Sequence, residues 1–68
     1  MSNNPIVEFV AKGGDLNSEA GASLIEKTER QKINEAAKEG QILQQLVDAM
    51  NNSSDPYLRR KILLALSD

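Results

Sequence analysis

Sixty-eight residues with no cysteine, histidine or tryptophan, one Phe and one Tyr leave room for a single small domain and exclude a disulfide scaffold or a thiolate zinc site. Eight Lys and Arg against ten Asp and Glu give a net charge of −2, which disfavours non-specific attraction to nucleic-acid phosphates or anionic lipid. Helix formers dominate, with seven Ala, eight Leu and only two Pro, so the expected fold class is all-α.

In chain order, residues 1–4 are expected to form a flexible N-terminus and 5–12 a short helix. Asn4 suits an N-cap and Pro5 the first helical position, Glu8 and Lys12 stand four apart, and Gly13-Gly14 supplies the stop. Ile6, Val7 and Val10 would also suit a strand, but nothing else in the chain could pair with one, which favours the helix. Asp15, Asn17 and Ser18 are each competent N-caps for the next element, with a further capping-box pattern over Ser23-Leu24-Ile25-Glu26. The spacing predicts one long helix over 18–51, its first turn weakened by Gly21 by about 1 kcal/mol relative to alanine. Turn formers Asn51 to Ser54 follow, and Asp55-Pro56 repeats the cap-plus-proline signal to open a C-terminal helix over 55–66. The expected architecture is a short helix, a long central helix and a short helix folded back on it as a hairpin.

Removing the alanines and Met1 from the apolar residues leaves nineteen sizeable side chains, a thin core for a chain with no disulfide. A homodimer is therefore expected. Within the long segment, Ile33, Ala36, Gly40, Leu43, Val47 and Met50 follow a three-four spacing and form a dimer or core seam. Carried backwards, that register meets Glu29 and Glu26, so the stripe covers about two and a half heptads. A second stripe, Ile42, Leu46 and Ala49, widens the apolar face toward the C-terminal half, as expected if it packs on both the last helix and another partner. Ala36, Ala37 and Gly40 would allow a close helix approach. The pairs Glu26–Arg30, Glu29–Lys32 and Glu35–Lys38 read as a solvated face, each pair adding only about 0.2–0.5 kcal/mol.

The C-terminal helix joins a basic cluster to an apolar run. Leu58, Ile62, Ala65 and Leu66 share one face; Leu63 and Leu64 fall outside it, so two neighbours are expected. Tyr57, Arg59, Arg60, Lys61, Leu63 and Leu64 are the candidate partner-binding residues, with Tyr57 and Arg59 or Arg60 as hot spots. Catalysis is not expected: histidine, thiol, Walker loop and dinucleotide fingerprint are all missing, and Ser23 and Thr28 have no base to activate them. Glu35 and Glu39 lie one turn apart but flank Lys38, which fits an exposed helix face better than a metal site.

The expected function is a non-enzymatic protein-interaction module, a small homodimeric adaptor or inhibitor that modulates another protein. Such chains are frequent among phage and other accessory regulators of host factors. Two other classes compete: a virion-type assembly or scaffold subunit, and a nucleic-acid regulator that presents Arg59, Arg60 and Lys61 to the backbone. Neither a cofactor nor a small-molecule substrate is expected. With no positive n-region in residues 1–4 and no long apolar run, the expected place is the cytoplasm, that of the host if the chain is viral.

Overall fold

The first helix, α1 (Pro5–Ala11), is fixed at both ends by its own sequence. At its start the Asn4 Oδ1 accepts the Ile6 N–H at 3.0 Å with Pro5 at the first position. At its end Gly13, at φ +90°, donates to the Val10 carbonyl and Gly14 to the Phe9 carbonyl, both at 2.9 Å, the paired bonds of a Schellman stop. Gly13→Ala forces a side chain into the left-handed region and should cost about 1–2 kcal/mol in urea or thermal unfolding. An unchanged midpoint would show that the turn adopts another conformation.

The computed structural model describes residues 4–39 and 42–67. The remaining helices are α2 (Glu19–Lys27), α3 (Arg30–Ala37), α4 (Ile42–Asn52) and α5 (Pro56–Leu66), and no strand occurs among the described residues. The all-α expectation holds, and the first and last helices run over Pro5–Ala11 and Pro56–Leu66. The single long helix over 18–51 does not: that stretch is divided into α2, α3 and α4.

The first division falls at Thr28 (φ −92°, ψ 139°) and Glu29 (φ −64°, ψ 146°), two extended residues between helical ones. The Thr28 hydroxyl donates to the Leu24 carbonyl at 2.6 Å, a local bond that competes with helix continuation. The second falls after Lys38, the C-cap of α3. A larger cause is geometric. A helix over 18–51 would be roughly 50 Å long, whereas the greatest extent of the molecule is 32 Å. Breaking the segment lets its apolar residues converge on one centre instead of lining a thin stripe.

That centre is built by α3 and α5, which pack on each other; α1 lies on α3, α2 on α5, and α4 on both. Ile6, Leu16, Ile25, Ile33, Leu46 and Ile62 are fully buried, one or more from each helix plus Leu16 from the loop before α2. Ala36 on α3 and Ala65 on α5 are also without exposure, so small side chains stand where the two central helices meet. Asn34 reinforces this junction by donating from Nδ2 to the Ala65 carbonyl at 2.9 Å. Asn4, expected in a flexible lead, is 3% exposed and ties α1 to α3; residues 1–3 lie outside the described residues.

The chain exposes 4483 Å², close to the roughly 4,200 Å² typical of a folded monomer of its mass. Its radius of gyration of 10.4 Å likewise matches the roughly 11 Å expected for this length. A single copy therefore closes its own core, and the thinness of the apolar set does not by itself require a second.

Candidate interaction surface

Asp55 opens α5 by accepting the Tyr57 N–H at 3.0 Å on its carboxylate, with Pro56 at the first position, so the local sequence fixes the helix phase. Leu58, Ile62 and Ala65 then point inward and are buried. The same phase sends Tyr57, Arg60 and Leu64 along one outward line and Arg59 and Leu63 along the next. Tyr57 is 61%, Leu63 53% and Leu64 37% exposed, and both arginines are exposed.

Two shallow clefts flank this face. One, of about 340 Å³, is lined by Met50, Pro56, Arg59, Arg60 and Leu63 among others; the second, of about 350 Å³, by Arg30, Tyr57, Arg60, Lys61 and Leu64. Arg60 is common to both. Each cleft thus combines an apolar wall with guanidinium groups.

The basic cluster expected from the sequence changes membership. The Lys61 ammonium donates to the Glu26 carbonyl in the last turn of α2 and lies half-buried, so it serves as a tether between helices where backbone carbonyls would otherwise lack partners. Arg30 joins instead, from a position far away in sequence. Extended backbone at Thr28 and Glu29 separates it from Glu26, and the expected Glu26–Arg30 helix pair does not form. Among the described residues the ion pair within 4.0 Å is Lys32–Glu35, at 3.8 Å and well exposed. Among the described residues Arg30, Arg59 and Arg60 have no carboxylate at that range.

The seam residues divide between core and surface. On α3 the seam residues Ile33 and Ala36 are buried, whereas on α4 Leu43 is 45% exposed and Val47 and Met50 are half-buried. Gly40 lies outside the described residues. In α4 the buried line is Ile42, Leu46 and Ala49, one residue earlier than the seam register. One residue is about 100° of helix rotation, so the interruption between α3 and α4 resets the phase and turns the Leu43 line toward solvent.

Another cleft, about 290 Å³, lies between α2 and the 49–55 stretch, with Glu19, Glu26 and Asp55 among its lining residues. Among the described residues no group of three or more acidic side chains is arranged to hold a metal ion. No described helix is long and apolar enough to cross a membrane. Comparison with protein-family models, curated proteins and solved structures finds no match for this chain.

Proposed function

We propose that this chain is a non-enzymatic protein-binding module that docks its partner on the outer face of α5. One observation carries the reading: among the described residues, three of the four exposed large apolar side chains, Tyr57, Leu63 and Leu64, belong to one helix face and surround two arginines. Tyrosine and arginine are over-represented among residues that dominate binding energy, and contiguous exposed apolar groups on a small domain mark interaction sites. As an adaptor or inhibitor, the module works by occupying a surface of another protein, and its expected place is the cytoplasm.

Homodimerisation belongs to this reading as a weak association rather than an obligate one, through Leu43, Val47 and Met50, the seam residues turned away from the core. Light scattering over a hundredfold concentration range should show a monomer at the low end and a dimer at the high end. Leu43→Glu should keep the chain monomeric throughout. Open-ended growth would instead favour an assembly subunit, and a mass independent of concentration would remove exchange between the two states.

The docking face is tested by co-purification. A tagged chain should retain a specific protein that the Tyr57→Ala, Leu63→Ser, Leu64→Ser triple variant loses while keeping its helicity. Equal retention by both chains would place the docking surface elsewhere.

A further inference from the structure

We infer that the occupant of this face is an acidic amphipathic segment of another protein, its carboxylates on Arg30, Arg59 and Arg60 and its apolar side chains in the two clefts on either side of Arg60. This rests on the protein-binding reading and names the partner's chemistry. Arg59 and Arg60 line one cleft and Arg30 and Arg60 the other, and no acidic side chain is among the described lining residues of either. The face is therefore a local cationic patch on a chain whose net charge is −2. Its three arginines have no carboxylate within 4.0 Å among the described residues, leaving their planar forks available for bidentate bonds.

The apolar walls decide between an acidic protein and a nucleic acid. Leu63 and Met50 on one side and Leu64 and Tyr57 on the other offer contact to hydrocarbon, which a sugar-phosphate backbone does not supply. The acidic remainder of the molecule would also repel a long polyanion extending past the patch. A second copy in two-fold pairing is disfavoured because it would set arginines against arginines. At 11 residues α5 is roughly 16 Å long, matching about three turns of an opposing helix that presents side chains at i, i+3, i+4 and i+7.

Tyr57 reports on this face without a label, since it is the only tyrosine and the chain has no tryptophan. The probe is a synthetic helical peptide of glutamate and leucine with leucines at that spacing. Its titration should give a saturable change in tyrosine emission that weakens as salt rises. Arg60→Ala should weaken binding about tenfold with helicity unchanged, and Arg60→Lys should recover part of it. Four results would overturn the inference: no saturable response, equal binding of the twin peptide with glutamine for glutamate, tighter binding of oligothymidylate, or the same emission change on concentrating the protein alone, which would give the face to a second copy. A chain that retains a protein through α5 in co-purification yet ignores the glutamate peptide refutes this partner chemistry and leaves the protein-binding reading standing; loss of both removes the docking face itself.

Discussion

Gly21→Ala should destabilise the protein by about 2–4 kcal/mol, although alanine is the better helix former by about 1 kcal/mol. Gly21 lies in the first turns of α2, where Ser18 caps its N–H at 3.1 Å, and it is buried. A Cβ there would meet the Asp15 carbonyl oxygen and the Leu16 Cα at 2.5 Å and the Leu16 carbonyl carbon at 2.8 Å. These are backbone atoms and cannot rotate aside. Asp15 is itself held by its turn, accepting the Asn17 N–H on its carboxylate at 2.8 Å and the Ser18 hydroxyl on its carbonyl at 2.6 Å. The remaining relief is to lift the loop, which draws Leu16, 1% exposed, out of the core; full exposure of such a side chain costs roughly 1.5–3 kcal/mol. For a domain of this size the melting temperature should fall by roughly 10–25 °C. Ala20→Gly is the matched control at an exposed position of the same turn and should cost about 1 kcal/mol or less. A higher melting temperature for Gly21→Ala would mean that propensity outweighs contact and that the loop does not rest on this glycine.

The same residue shows which features the sequence made readable and which it hid. Asn4-Pro5, Gly13-Gly14, Ser18 and Asp55-Pro56 set helix ends through bonds to residues a few places away, and each marks an observed boundary. Gly21 read locally is a weak point in a helix; its actual use, beneath the Asp15–Leu16 backbone, depends on a chain crossing that no window of sequence contains. The break at Thr28–Glu29 was hidden for a similar reason, because the flanking residues satisfy helical spacing and, beyond the local Thr28–Leu24 bond, it is the need to gather apolar groups around α3 and α5 that opposes continuation. Heptad counting fails beyond the next interruption, between α3 and α4. Ile33 and Ala36 keep their inward places, while in α4 the core line passes to Ile42, Leu46 and Ala49.

The face proposed for docking was legible to the extent that it depends on α5 alone. Tyr57, Leu63 and Leu64 stand outside the inner stripe by helical spacing, and they are exposed. Its charge was not legible in the same way. Three consecutive bases look equivalent along the chain, yet Lys61 is engaged with the end of α2 and Arg30 takes its place beside Tyr57 and Arg60. Arg30 could not be found without knowing that α3 begins there and that α3 packs on α5.

Asn4→Asp should be the more informative of two changes at the N-cap of α1, because its effect should depend on pH while that of Asn4→Ala should not. Asn4 has two roles: Oδ1 accepts the Ile6 N–H at 3.0 Å, and Nδ2 donates to the Lys32 carbonyl on α3 at 2.7 Å. Alanine removes both, costing about 1 kcal/mol for the cap and about 1 for the bond to a part-buried carbonyl. Aspartate keeps the cap but turns an acceptor toward an acceptor at a site 3% exposed. The folded protein then either holds a carboxylate against a carbonyl or protonates it and restores the bond from O–H. Protonation at pH 7 of a group with an ordinary value near 3.9 bounds the penalty at about 4 kcal/mol, and the N-terminal end of α1 offsets about 0.3–1 of it in the charged form. The folded variant binds a proton that the unfolded chain lacks, so its stability relative to the natural chain falls as pH rises above about 4. Below that value the carboxyl is protonated in both states and the difference should nearly vanish, whereas the alanine variant stays displaced at every pH. Urea unfolding of the three chains at pH 4 and pH 7 measures this directly; a pH-independent penalty for Asn4→Asp would show that the side chain does not meet Lys32 in the folded protein.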